Sequence, residues 1–514
     1  MFSLQHTKFT YNYSTEPTGR ACLALQNQSC YWPRGKAIGG SGAVNGMLYV
    51  RGNRKDYDGW LLKGNCGWGW DDVLPYFEKS VRPAGNSSMP QGYVVRNEFA
   101  LFNEDIQDMI TAGALEVGVP RVERFDEGTE TGFTNVPGTI KNGQRMSTGK
   151  SYLGKVSERP NLHVIKNAQV TRINFDKSGK RVESVSFVLR NQYQLYVSIK
   201  KELVLSAGTI DSPKLLMLSG VGPRQHLTSL KLPVLHNLNV GDNLQDHPLV
   251  PLIYKVDTST SKPAVQSEIL DNIYNYLMHR SGPLSSRFSL VGFVNTVKGS
   301  SSPYPDIGYY YGFFQRGDIE SLRVWLQGVS VHELYAQHFL DLLRTANMLL
   351  VLTMLAHPKS VGKLRLHSNN YTDAPKIFAN YLNDPEDVET LLRGIQHQMK
   401  VSQTKAFVAK EAELQQIPIK ECDQYEFKSD KYWRCYMKYF TTTIYHHTGT
   451  VKMGPSTDPS ACVNSRLRLR GVKNLRVADA SIMPDVPSGN TNAPTIMIGE
   501  KAADFIMEDW KGRQ

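Results

Sequence analysis

Four small residues in a row, Gly39-Gly40-Ser41-Gly42, sit inside the stretch Trp32 to Gly46 and constrain this chain more than any other feature. A backbone with so little side chain can approach a ligand directly, and consecutive amides there can form an anion-binding concavity. Such a turn needs rigid elements around it, and the sequence supplies them. Lys201 to Gly208 reads as a strand running into a glycine turn. Ser212 to Gly220 reads as a helix with Ser212 at its N-cap, Pro213 at its first position and Gly220 at its end. Strand, glycine turn and helix together aim backbone N–H groups at a ligand. The same logic returns near the C-terminus. Asn474 to Asp479 reads as a strand ending in a carboxylate, Pro484 to Asn492 as a loop, and Ala493 to Ile506 as a helix. The positive end of that helix dipole lies just after Asn492, placed to meet an electron-rich ring.

Further strands are expected at Leu162–Ile165, Val170–Phe175 and Val182–Leu189, the last with Val185, Phe187 and Leu189 on one face. Met348 to Ala356 is the most apolar run. It is far shorter than the ~20 residues a membrane-spanning helix needs, and it reads as a buried strand. A chain of 514 residues exceeds the size of one hydrophobic core, so two interlocked domains are expected. The formal net charge of +11 is scattered, without the clustered stripe that nucleic-acid binding requires. It reads as a basic solvated surface, with a mild attraction to anionic surfaces as the second reading. No basic region followed by an apolar segment opens the chain, so no signal peptide is visible.

Six cysteines are present and none forms a CxxC pair, which argues against a zinc site; no metal is expected. Cys22/Cys30 and Cys422/Cys435 are close enough in sequence to be disulfides of a secreted protein, and six reduced thiols is the competing reading. Sequons at Asn12, Asn27, Asn86 and Asn370 add weak support for secretion.

Three motifs carry chemistry. The first runs from Trp32 through Gly46, Met47-Leu48-Tyr49-Val50-Arg51-Gly52 and on to Asp58. The second is Gly208-Thr209-Ile210-Asp211-Ser212-Pro213 through Gly222, followed by Gly241-Asp242-Asn243-Leu244-Gln245-Asp246-His247. The third pairs Tyr445-His446-His447-Thr448-Gly449 with Ser488-Gly489-Asn490-Thr491-Asn492-Ala493-Pro494-Thr495. In this order they resemble the signatures of the glucose–methanol–choline (GMC) oxidoreductases, and the chain looks most like the insect glucose-dehydrogenase branch.

That resemblance implies an α/β FAD-binding domain, Rossmann-like and incomplete, plus an α+β substrate domain with an antiparallel sheet. The first would be assembled from 1–60, 145–250 and 440–514, the second from 61–144 and 251–439. It implies FAD-dependent oxidation of a CH–OH donor, an alcohol or sugar, with a quinone-like or O2 electron acceptor. His446 is the implied catalytic base and Asn492 the second catalytic polar group; a near-neutral imidazole suits proton removal and an amide suits an oxygen gaining alkoxide character. Gly39, Gly40, Ser41, Asn45, Gly46, Met47 and Leu48 would lie along the cofactor. Val170 would meet the adenine with its backbone, and Asp479 and Ala480 would lie near the ribityl and pyrophosphate. Val44 stands where some relatives carry a flavin-linked His, so FAD is expected to be non-covalent.

One departure stands out. Family members begin with a strand, a GxGxxG turn and a helix that hold the ADP half of FAD. Here the only early glycine cluster is Gly35 to Gly46, which follows Cys30 to Arg34 rather than an apolar strand. The resemblance starts one unit late, by about 80–110 residues. A chain lacking that unit is expected to fold poorly and to bind FAD weakly. A flavin-free remnant or fragment, for which the missing unit argues, and a lyase, since some relatives cleave cyanohydrins on the same scaffold, are the alternatives to an oxidoreductase. Extracellular location is expected if a missing N-terminus carries a signal peptide.

Overall fold

The computed structural model describes residues 2–83, 92–99, 103–125, 128, 130–285 and 289–511; the sequon at Asn86 lies outside them. The chain opens with an antiparallel ribbon of β1 (Thr10–Ser14) and β2 (Tyr31–Gly35), Thr10 facing Gly35 and Ser14 facing Tyr31. The glycine cluster thus does follow a strand, contrary to the sequence reading. Pro33 and Arg34 disguise it, and Pro33 is tolerated because each strand of a two-stranded ribbon is an edge. A disulfide, Cys22–Cys30, closes the loop between the two strands. The glycine turn follows, and then α1 (Arg54–Leu62) begins with a reciprocal cap: Asn53 accepts from Lys55 N, and Asp56 accepts from Asn53 N at 2.7 Å.

Two layers of strands come next in sequence. After β3 (Gly132–Asn135), a three-stranded antiparallel meander forms from β4 (Ala168–Phe175), β5 (Val182–Leu189) and β6 (Tyr193–Ser198). Leu162–Ile165 is not a strand; Val164 and Ile165 are exposed, and β-branched side chains without a neighbouring surface do not hold an extended segment in a sheet. Then come β7 (Leu203–Leu205) and α2 (Gly208–Leu218).

The remaining elements build a large antiparallel sheet and close the chain. They are β8 (Pro248–Val256), β9 (Leu290–Val294), β10 (Ile307–Phe314), α3 (Ile319–Gly328), β11 (Asn347–Leu355), β12 (Glu413–Leu414), β13 (Thr442–Thr443), β14 (Leu475–Val477) and α4 (Asn492–Trp510). The sheet order is β12-β8-β11-β10-β9-β3, with β13 beside β8. Its centre, β11, is the apolar run singled out in the sequence, and all but Leu352 of it is buried. β7 and β14 pair in parallel, Leu203 with Leu475 and Leu205 with Val477. An α/β part and an α+β part are therefore both present.

The start of α2 differs from expectation. The helix begins at Gly208, four residues before Ser212, and Gly220 follows its C-terminal end with φ of 90°. Its first amide is capped from far away: Gly208 N donates to Asp479 Oδ2 at 2.8 Å, and Ser212 Oγ donates to the same oxygen at 2.6 Å. Pro213 lies inside the helix, where its missing N–H would leave the Thr209 carbonyl without a partner. Thr450 Oγ1 donates to that carbonyl at 2.6 Å instead. Thr209 Oγ1 in turn donates to the His447 carbonyl at 2.7 Å. This exchange fastens the His446 segment onto α2.

Candidate active site

A cavity of about 1040 Å³ opens between the two parts. Gly39, Gly40, Ser41, Asn45, Gly46, Met47 and Leu48 line it, as do Asp479, Ala480, His446 and Asn492. Val170 does not. It is half-buried in β4, paired with Phe187 next to a bulge.

The glycine turn is shaped for close approach. Gly39 has φ of 97°, and a Cβ there would meet Ser147 Oγ at 2.9 Å; a Cβ on Gly40 would project into open space. Gly42 backs onto α4, where an added Cβ would touch Asn492 Oδ1 at 3.6 Å. Among the described residues Asn492 makes no side-chain hydrogen bond, so its amide is available at the helix N-terminus. Asp479 is different: it is satisfied by Gly208, Ser212 and the amide of Ser481 at 2.8 Å, and it staples the two strand ends together. Arg34 also lines the cavity. Burial lowers its pKa, Asp246, Asp211 and Asp479 oppose that shift, and its Nη1 reaches the Tyr445 carbonyl at 3.5 Å.

His446 sits at the end of a directed chain of hydrogen bonds. His247 Nε2 lies 3.0 Å from the Ala356 carbonyl, which only accepts, so Nε2 carries the proton. Neutral His247 then accepts at Nδ1, 2.9 Å from His446 Nδ1, so His446 carries its proton on Nδ1. The lone pair of His446 falls on Nε2, where Asn490 Nδ2 donates at 3.1 Å. Tyr310 OH donates to Asn490 Oδ1 at 3.1 Å and fixes the orientation of that amide. Each link agrees with the next, and one tautomer of His446 results.

Charge reinforces this arrangement. Burial, with His247 next, drives the pKa of His446 well below the imidazole range; burial brings His247 to about 4. Both rings are neutral at ordinary pH. Asp246 behaves oppositely. Burial alone would raise its pKa, but His447 beside it and donations from Thr443 and Tyr381 hold it below the usual carboxylate range. Its other oxygen accepts from His446 N at 2.7 Å and lies 3.2 Å from His447 Nδ1. His447 itself stacks on Trp32 with ring centroids 3.6 Å apart, a structural placement.

Sequence reasoning missed Asn490, Tyr310 and the roles of His247 and Asp246. Asn490 lies in the quoted polar loop two residues from Asn492, and His247 and Asp246 close the quoted Gly241–His247 stretch. No local signal picks out Tyr310.

The cavity fits a flavin. Its glycine wall leaves room that any Cβ on Gly40 would enter, and His446, Asn490 and Asn492 all line it. Among the described residues no group of three or more His, Cys, Asp or Glu could hold a metal ion. A flavoprotein oxidoreductase is the class such a site defines. Residues 16–249 and 358–499 match the N-terminal and C-terminal parts of the family described as GMC oxidoreductase. The chain is 35% identical over 508 residues to glucose dehydrogenase [FAD, quinone] of Drosophila pseudoobscura pseudoobscura, covering 97% of this chain and 78% of that protein. It is equally 35% identical to the mitochondrial choline dehydrogenase of Mus musculus, over 97% of this chain and 79% of that one. A solved formate oxidase superposes with a TM-score of 0.83 at 24% identity, over 99% of this chain and 90% of the other. The chain belongs to the GMC oxidoreductase family: it is an FAD-dependent oxidoreductase acting on CH–OH donors. The flavin-free remnant and the lyase are not favoured.

Proposed function

We propose that His446 Nε2 takes the hydroxyl proton of the substrate alcohol while Asn490 and Asn492 hold its oxygen. The carrying observation is the hydrogen-bond chain that puts the His446 proton on Nδ1 and its lone pair on Nε2, where the side chain of cavity-lining Asn490 donates to it. FAD, when bound, supplies the hydride acceptor; the Gly39–Ser41 turn, Asn45 to Leu48 and the start of α4 would hold it. Neutral His446 accepts a proton without first losing one. Asn490 Nδ2 holds the one Nε2 lone pair at 3.1 Å, so an entering hydroxyl takes its place there, and the displaced amide lies beside the substrate oxygen as a donor. The Tyr310 contact keeps that donor aimed as the oxygen gains negative charge.

The test uses the chain purified with excess FAD. Bound flavin is measured by absorbance, and its reduction by alcohols is followed anaerobically. His446→Ala is expected to retain flavin and to slow reduction on the order of 10³-fold. Reduction at the unaltered rate would overturn the assignment.

The acceptor and the compartment belong to the same proposal. The fly relative's name specifies quinone, which supports a quinone-like acceptor; reduction of a soluble quinone faster than oxygen is the expected result. Disulfides Cys22–Cys30 and Cys422–Cys435, and exposed sequons at Asn12, Asn27 and Asn370, support an oxidising, secretory route. No helix of the described residues is long and apolar enough to cross a membrane.

A further inference from the structure

We infer that the alcohol taken by this chain carries an apolar body of roughly aromatic size, and that Gly312 sets how far that body reaches. The inference rests on His446 as the reaction point and adds the substrate class.

The cavity has two chemically different ends. Its Asp, Glu and Arg side chains, Arg34, Asp211, Asp479 and Glu500, come from β2, α2, the end of β14 and α4, with Arg34 also reaching the Tyr445 carbonyl. Past His446 the wall is built by β8, β10, β11 and α3, and none of its lining residues is Asp, Glu, Lys or Arg. Alternation along β10 turns Tyr310, Gly312 and Phe314 to one face. Register places Leu352 opposite Tyr310 and Leu350 opposite Gly312, and all of these line the cavity. Trp325 of α3 closes the wall, edge-on to Phe314 with centroids 6.3 Å apart. The Tyr310 hydroxyl is already committed to Asn490.

The polar side chains at this end are few, Ser321 on α3 with Thr442 and Thr443 beside β8, so a hexose would leave most of its hydroxyls against Phe, Leu and Trp, losing their water without gaining a partner. A quaternary ammonium would find aromatic faces but no carboxylate. A neutral alcohol with an apolar body loses nothing on entry and gains contact with every wall. Gly312 is the gap in that wall. A Cβ there meets Leu350 Cβ at 3.6 Å, ordinary contact, so a larger residue would fill the cavity without moving the sheet.

The experiment compares benzyl alcohol, ethanol, glucose and choline as reductants of the FAD-loaded chain. It is paired with calorimetric titration of benzyl alcohol and glucose into the cofactor-free chain. Benzyl alcohol is expected to reduce flavin at least about 100-fold faster than glucose or choline, and to bind where glucose does not. Gly312→Val should lower the benzyl alcohol to ethanol rate ratio about 10-fold, with Gly312→Ala in between. A strand position accepts Val, and an unchanged melting temperature would show the fold intact. Glucose or choline matching benzyl alcohol, or an unchanged ratio in Gly312→Val, overturns the inference. Binding of benzyl alcohol but not glucose, with no flavin reduction by any alcohol, would uphold the pocket's chemistry and instead sink the proton-acceptor role of His446.

Discussion

At the scale of single residues the site is governed by where one proton sits. His247 touches no substrate; it acts through His446, whose Nδ1–H it accepts. Replacing His247 by Phe keeps the buried volume and removes that acceptor. Flavin reduction is then expected to slow about 10–100-fold, the usual cost of losing an orienting partner. Nitrogen chemical shifts of labelled histidine should show His446 no longer confined to the Nδ1–H form. Unchanged shifts would mean the orientation comes from elsewhere. The residues legible in the sequence were those whose chemistry is local. His446 and Asn492 were legible through the family resemblance, because both fall inside contiguous motifs. Asn490 and Tyr310 were illegible because their value lies in a side-chain contact between positions 180 apart, made where β10 meets the Pro484–Asn492 loop.

Elements show the same division. Ser212-Pro213 carries a helix-start signal, yet the helix starts earlier because Asp479, 271 positions from Gly208, caps it. A local signal yields to a partner that the fold brings from outside. The carbonyl that Pro213 leaves open is answered by Thr450, and that exchange pins the catalytic segment. Thr450→Val should cost about 1–3 kcal/mol of stability, read from the urea midpoint, because the Thr209 carbonyl is left buried and unpaired. The polar loop is tied in the same manner. Ser488 Oγ donates to Asp56 Oδ1 at 2.8 Å and Ser488 N to Asp56 Oδ2 at 2.8 Å, two residues before Asn490. Ser488→Ala should lower the flavin reduction rate several-fold while leaving His446 intact, and an unaltered rate would show that Asn490 is held without this tie. Two strands of the meander were readable as strand-like runs, while its exposed third, Tyr193–Ser198, was not, and Leu162–Ile165 read as a strand but is none, since β-branched composition does not provide a neighbouring strand.

For the whole molecule, buried neutral histidines set the response to acid. His247 titrates at about 4 in the fold and near 6.5 when unfolded, so between these values the unfolded chain binds the extra proton. Stability is therefore full above about pH 6.5 and falls as pH drops towards about 4, by about 3 kcal/mol for this residue. His446, His447, His357 and His397 are shifted in the same direction by burial and add to the loss. Urea midpoints at pH 7 and pH 4.5 measure it; equal midpoints would refute it. His247→Phe should flatten the slope. The division into α/β and α+β parts was implied by the family resemblance, and two domains were expected from length. The resemblance also implied an active site between the two parts; the hydrogen bonds that join them there, from Ala356 through His247 to His446, were not legible.

The chain from Ala356 through His247 to His446 joins the end of the large sheet to a loop fastened on the other half of the molecule. A molecule whose halves have not yet closed has a histidine in the sequence but no settled base, because nothing dictates which nitrogen keeps the hydrogen. Reactivity thus becomes a certificate of assembly: a partly folded chain that happened to capture a cofactor would react slowly until its last layer docked.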